Sequence, residues 1–480
     1  MMLRHFHPVL VPLVPLTAAL LLVGCAVTAV APPPPAIPAA QYKEAGAWQR
    51  ASATNSATDA RAGAVPDAWW TLFRQPVLDD LQQRLLTGNQ NLQSLAAAMA
   101  SARAVLDASR SARYPTLSAG LSATRSASPT LTTPAGVQNP SNSLALTANA
   151  SWEIDLWGRL ALATSGAKDA LQASADDLAS ARLSAQATLT QTYLSLRAAD
   201  AQLALLARSV AAYQRSLDLT QLRYSGGVAA RSDVLQAQTL LKTTQAQAAD
   251  LTAQRALLEH AIAVLLGAQP SALGLERVAS LPDAPAVPVM LPATLLERRP
   301  DIAAAQRRVA AAYAQIGIAD AAFFPDLSLS ASAGYRTTAL ASLINTPNLF
   351  WSLGPALTQA ILDGGARRLA SAQARASADQ ATAAYRQTVL TALQEVEDNL
   401  VLTDQLQHEA QFQQEALQAA RSNLDITFEQ YRAGTVSYLN VVVAQTTALN
   451  SEVNLLGVRN RQLAAVTQLL KNIAGRWERV

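Results

Sequence analysis

The sequence predicts a mainly α-helical chain with a transmembrane β part, assembled from a tandem repeat, and three features lead there. Ala366 to Ala433 contains neither glycine nor proline and is bounded by Gly364-Gly365 and Gly434. At ~1.5 Å of rise per residue this run makes a helix of about 100 Å. That is too long for an ordinary globular core, so its apolar seam has to be covered by similar helices in a rod or tube. The same element occurs earlier in the chain, because Lys168 to Ser225 is also free of glycine and proline. Its closing text, Asp218-Leu-Thr-Gln-Leu-Arg-Tyr224-Ser-Gly-Gly227, matches Asp425-Ile-Thr-Phe-Glu-Gln-Tyr431-Arg-Ala-Gly434 at a constant offset of 207 residues, which marks a duplication. Elsewhere the apolar spacing changes from helical to a strict period of two, as in strands.

The chain begins with Arg4, an apolar run from Val9 to Val23, and then Leu22-Val23-Gly24-Cys25. The run is short and broken by Pro12 and Pro15, so it makes a poor spanning helix. The segment resembles a bacterial lipoprotein signal, which would be cut before Cys25 and leave that residue as the lipid-bearing N-terminus. Ala26, not an acidic residue, follows it, which in this signal type is compatible with delivery to the outer membrane. Cys25 is the only cysteine, so no disulfide framework is expected. Ala31-Pro-Pro-Pro-Pro-Ala-Ile-Pro38 reads as an extended polyproline tether, and no regular structure is assigned from there to Val65.

Asp67-Ala-Trp-Trp-Thr-Leu-Phe73 supplies aromatic bulk ahead of a short helix, Val77 to Leu86, and a longer one, Asn89 to Arg113, which stops at Tyr114-Pro115. Leu117, Leu121 and Ala123 then alternate with Thr116, Ser118 and Ser122, and Leu144, Leu146, Ala148, Ala150, Trp152 and Ile154 with Ser143, Thr147, Asn149, Ser151 and Glu153. The second half repeats this through Leu327 to Tyr335 and Leu349 to Thr358. Each half therefore contributes one hairpin, with strands long enough to cross a bilayer at a tilt. Soluble hairpins with one buried face give the same period. The signal segment and the paired hairpins favour the membrane, where Trp152, Tyr335 and Trp351 are placed for interfacial girdles. Four strands cannot close a barrel, and open edges are not tolerated in lipid, so the barrel has to be shared between copies; two, three or four copies all give an even number of strands.

Each long helix turns on a glycine and returns, over Val228 to Leu266 and Thr435 to Ala474. Seams run through Val389, Leu393, Val396 and Leu400, and on the return through Leu241, Thr244, Ala248, Leu251, Leu258, Ile262 and Leu265. In each half the return helix and the short helix before the hairpin together match the long helix in length, which predicts that they stack end to end. The predicted organisation is a signal segment (1–24), a lipid-anchored Pro-rich segment (25–65), a first repeat (66–268, with a β-hairpin at 114–154 and a helical hairpin at 159–266), a linker (269–292) and a second repeat (293–480, with a β-hairpin at 325–358 and a helical hairpin at 366–474).

Leu291-Pro-Ala-Thr-Leu-Leu-Glu-Arg298-Arg299-Pro300-Asp301-Ile302, running on to Ile316-Gly317 and Phe324-Pro325, resembles the signature of TolC-type outer-membrane efflux proteins of the lipoprotein, NodT-like branch. Asp67 to Asn91, Trp152-Glu-Ile-Asp155-Leu-Trp-Gly158-Arg159 and Ile361-Leu-Asp-Gly-Gly-Ala-Arg367 are similar to further blocks of that family. The resemblance covers nearly the whole mature chain. It implies a homotrimer whose 12-stranded β-barrel in the outer membrane continues into a long periplasmic α-helical barrel, the exit duct of a tripartite pump completed by a periplasmic adaptor and a proton-driven inner-membrane transporter. It also implies that the turns around Tyr224, Gly227 and Gly434 are periplasmic tips where the adaptor docks, with Tyr431 the tip tyrosine and Leu439 the constriction. The family's inward acidic and basic positions fall on Val443 and Thr446, so no charge lock is expected there. Asp233, Arg432 and Arg231 are the remaining charges, and Tyr431 or Arg432 is expected to reach Asp233 across neighbouring hairpins.

Other function classes find little support. A net charge of +3 without a Lys/Arg cluster or an aromatic stacking platform is no nucleic-acid footprint. Charged residues make up 15% of the chain, against about 25% usually, which leaves a neutral surface rich in Ser, Thr, Gln and Ala. His260 and His408 stand alone on helices, and neither glycine pair has the context of a phosphate loop, so no metal, cofactor or enzymatic activity is expected. The competing reading is a lipoprotein spacer or adaptor with coiled-coil hairpins and no pore.

Overall fold

The computed structural model describes residues 67–127, 139–287 and 299–474, with the single positions 31, 43 and 129. Cys25, the signal segment, the proline-rich stretch and the Leu291 to Arg298 part of the signature lie outside the described residues. Seven helices are found among the described residues: α1 (Pro76–Gly88), α2 (Gln90–Ser111), α3 (Arg159–Ser225), α4 (Arg231–Leu265), α5 (Pro300–Ala321), α6 (Ala366–Arg432) and α7 (Tyr438–Ile473). Four strands accompany them: β1 (Thr116–Ser126), β2 (Ser141–Glu153), β3 (Asp326–Thr337) and β4 (Leu349–Thr358). The described residues form two compact units, one from 98–127, 139–174 and 304–385 and the other from 67–97, 175–287, 299–303 and 386–474, so the division falls within α2, α3, α5 and α6.

In the first unit the two expected hairpins are one antiparallel sheet in the order β1-β2-β3-β4. The β2–β3 pairing joins the two repeats, from Leu144 opposite Thr337 to Glu153 opposite Ser328. Its register places Leu117, Ala150, Ala331 and Leu353 in one row and Leu121, Leu146, Tyr335 and Leu349 in another. Between them lies Ser118, Asn149, Ser332 and Ser352, with the last two hydroxyls 2.9 Å apart. Directly opposed residues share a face, so the apolar parity of all four strands falls on one side of the sheet and the polar parity on the other. A slip of one residue at any pairing would mix the two faces. The strands are 11, 13, 12 and 10 residues long, the length of a tilted bilayer-spanning strand. Among the described residues β1 and β4 each keep one unpaired edge.

Both long helices are launched from this sheet by an aspartate. Asp155 accepts the N–H groups of Leu160 (3.1 Å) and Ala161 (2.8 Å), and Asp363 those of Gly365 (2.9 Å) and Arg367 (3.2 Å). A carboxylate there satisfies orphan amides and meets the positive end of the helix dipole. The Arg367 guanidinium beside Asp363, 2.6 Å away, and these backbone donors hold its pKa down at about 2. Trp157 stacks on Phe324 at 4.9 Å and donates to the Pro325 carbonyl (2.6 Å), fixing the exit of β2 against the entry of β3.

The second unit is built on the helical seams. Trp69, Phe73, Leu78, Leu81 and Leu85 are buried around the start of α1, and the Gln82 side-chain amide donates to Gln186 O and Thr190 Oγ1 of α3, both at 2.9 Å. Val389, Val396, Leu400, Leu241, Thr244 and Ile262 are buried as their spacing predicts. The end-to-end stacking is present: the Asn89 side chain donates to Leu265 O in the last turn of α4 (2.7 Å) and accepts Leu92 N–H at the start of α2 (3.0 Å). The contact is so close that a Cβ on Gly267, at φ +69°, would lie 2.0 Å from Gly88 O. In the other repeat Arg299, ahead of α5, donates to Asn472 of α7 (3.2 Å) and to Glu395 of α6 (2.8 Å).

The linker, rich in proline and without periodicity in the sequence, has a 3-10 turn at Pro270–Ala272 and is then tied down by a buried ion network. Asp200 accepts from Arg197 (3.0 Å), Arg255 (2.8 Å) and Val278 N–H (3.3 Å). Arg255 also reaches Glu259 and Leu275 O, Arg197 reaches Glu276 O (2.7 Å), and Glu259 takes Leu275 N–H (2.5 Å). Charge spacing alone could not show that irregular backbone would supply half of the partners.

Candidate functional site: the helix-turn tips

The two tips close in the same way. Val228 N–H bonds Arg223 O and Gly227 N–H bonds Tyr224 O, both at 2.9 Å, while Thr435 N–H bonds Gln430 O and Gly434 N–H bonds Tyr431 O, both at 3.0 Å. This paired pattern is a Schellman cap with glycine in the left-handed region, and Gly227 (φ +72°) and Gly434 (φ +80°) occupy that position. The return helices start three residues later than the sequence predicts, at Arg231 and Tyr438, because the cap is followed by extended residues, Ala230 (ψ 153°) and Ser437 (ψ 158°).

Past the caps the duplication is no longer symmetric. Tyr431 is 5% exposed and meets Tyr438 edge-on with ring centroids 5.3 Å apart, whereas its counterpart Tyr224 is 47% exposed. Tyr438 and Ser216 hydroxyls are 3.0 Å apart, and the Tyr213 hydroxyl donates to Gln445 O (3.2 Å), so α3 is bonded to α7 along the buried side. Burial pushes the Tyr213 phenol up to about 12, with Tyr438 adding to the effect, and burial raises Tyr438 as well. Leu439 is 52% exposed, and Val443, one turn on, is exposed too. Asp233 sits in the first turn of α4, where a carboxylate suits the helix dipole.

Among the described residues of a single chain, neither Tyr431 nor Arg432 bonds Asp233. Arg432 bonds Glu429 of its own helix (3.1 Å), and the buried Tyr431 hydroxyl has no partner among the described residues. At the turn itself a further contact between the hairpins comes from Arg223. Its guanidinium donates to Tyr431 O (2.8 Å) and Arg432 O (3.0 Å) and lies over the Tyr431 ring, 4.7 Å from the centroid. Sequence reasoning passed over Arg223, although one signal was available: at the repeat offset it stands opposite Gln430, a charge on one tip only. Among the described residues no group of three His, Cys, Asp or Glu side chains could hold a metal ion, and no helix is long and apolar enough to cross a membrane.

Comparison with known proteins agrees with this architecture. The family model described as outer membrane efflux protein matches residues 81–268 and 291–475. The chain is 32% identical over 413 residues to the probable efflux pump outer membrane protein SepC of Pseudomonas putida, covering 86% of each chain. It is 30% identical over 466 residues to the solvent efflux pump outer membrane protein SrpC of Pseudomonas putida, covering 96% of this chain and 98% of SrpC. Among solved structures, the outer-membrane channel OprN superposes with a TM-score of 0.84 at 28% identity, covering 94% of this chain and 100% of that one. A family match over most of the chain, relatives of nearly equal length and a shared channel fold lead to one conclusion: the chain belongs to the outer membrane efflux protein family.

Proposed function

We propose that three copies of this chain join their free β1 and β4 edges into a 12-stranded barrel and surround a common periplasmic duct with their helical hairpins. As an outer membrane efflux protein the chain resides in the outer membrane and is the exit channel of an efflux pump. The observation that carries the barrel is the sheet: one face is apolar, the other polar, and both edges are open. Backbone groups in lipid must all be paired, and an outward apolar face with a polar interior is the pattern of a membrane barrel. On this reading Cys25 carries lipid that anchors the N-terminus. The turns at Tyr224, Gly227, Arg432 and Gly434 meet a periplasmic adaptor, which couples them to a proton-driven inner-membrane transporter.

Leu439, exposed on its own copy, narrows the duct with its counterparts until the tips part, and Asp233 lies beside that opening. The protein performs no chemistry itself, and energy for export comes from the transporter. Purified protein reconstituted in planar bilayers tests this. Heat-resistant trimers with ion conductance, raised by Leu439→Ser, are expected; a water-soluble monomer, or trimers that conduct nothing, would refute it in favour of a spacer.

A further inference from the structure

We infer that Arg223 is the clamp that holds the two hairpin tips of each copy together in the closed channel, with the Tyr431 ring as its seat and the last carbonyls of α6 as its acceptors. The inference rests on the reading of the tips as the gate. Arg223 belongs to α3 and both of its acceptors to α6, so its fork is a bond between hairpins. The carbonyls it takes lie at the helix C-terminus, where unsatisfied C=O groups and the negative end of the dipole favour a cation. Tyr431 O already accepts Gly434 N–H, so Arg223 fills the second lone pair of that carbonyl and the orphan oxygen of Arg432.

The ring below the guanidinium adds a cation–π contact and fixes the plane of the fork. The Tyr431 hydroxyl takes no part, since it is buried without a partner. Closure at the tip is therefore held by a guanidinium on a backbone terminus, independent of any carboxylate. It comes from one repeat only, because Gln430, the counterpart of Arg223, has neither the charge nor the fork.

Single-channel conductance of the purified trimer, with SDS-resistant trimer as the measure of assembly, provides the test. Arg223→Ala, which removes both charge-assisted bonds, and Tyr431→Ala, which leaves the carbonyls but removes the ring that seats the fork, are each expected to raise the open-to-closed ratio by roughly tenfold or more, the former by the larger factor. Arg223→Lys, which keeps the charge without the fork, should fall between parent and Arg223→Ala, and Tyr431→Phe, which keeps the ring, should restore closure relative to Tyr431→Ala. If Leu439→Ser opens the channel while Arg223→Ala does not, the clamp is overturned and the gate stands. If neither opens it, the gate reading itself fails and the clamp with it. If Tyr431→Phe opens the channel as far as Tyr431→Ala, the hydroxyl holds the tip and the assignment to the ring is wrong.

Discussion

Replacing Asp200 by asparagine should loosen the linker more than any surface substitution. The Asp200 side chain is 1% exposed and faces Arg197 and Arg255, at 3% and 7%, so neither cation can turn to water. Burial disfavours the charge on Arg255, but hydrogen bonding to Asp200 and the charges of Asp200 and Glu259 outweigh it and hold its pKa above the ordinary value. An arginine does not lose its proton at any working pH, so the variant keeps both buried cations, with Glu259 beside Arg255 as the remaining carboxylate of the network. Breaking a buried pair in this way costs about 3–5 kcal/mol.

Part of that loss is local, because Val278 N–H also bonds Asp200, and Leu275 and Glu276 hang on the same arginines. Hydrogen exchange of detergent-solubilised Asp200→Asn should show the amides of Leu275 and Val278 opening at least a hundredfold faster than in the parent, with a lowered denaturant midpoint. Exchange at those amides within about threefold of the parent, with an unchanged midpoint, would refute the view that the network holds the linker.

Two further perturbations follow from the same geometry. Gly267→Ala forces a left-handed φ on alanine and drives its Cβ into Gly88 O, 2.0 Å away; a loss of at least about 2 kcal/mol is expected, read as a lowered unfolding midpoint that Gly274→Ala, in open space, does not share. The Tyr213 phenol, held at about 12 against about 10 in the unfolded chain, contributes fully to folding below pH 10 and loses that contribution as pH rises towards 12. Tyrosinate absorbance should show this late ionisation disappear in Tyr213→Phe, and a parent protein whose tyrosines all titrate near 10 would contradict it.

The sequence by itself determined the helices, the strands and the duplication. Freedom from glycine and proline set the span of α6 and that of α3 from Lys168 onward, period two located all four strands, and the constant offset placed Gly227 and Gly434 at equivalent turns. These are local properties, written in backbone propensity and in the periodicity of apolar residues. Tertiary structure alone decided what joins distant segments. The β2–β3 pairing brings strands of different repeats together, and the linker supplies backbone partners to buried arginines.

At the tips, the guanidinium of Arg223 takes the main-chain carbonyls of Tyr431 and Arg432 as its acceptors. Periodicity shows which face of a helix is buried, but not which helix covers it. Backbone carbonyls, identical at every position of a sequence, become specific acceptors only when folding leaves a helix end exposed beside a cation.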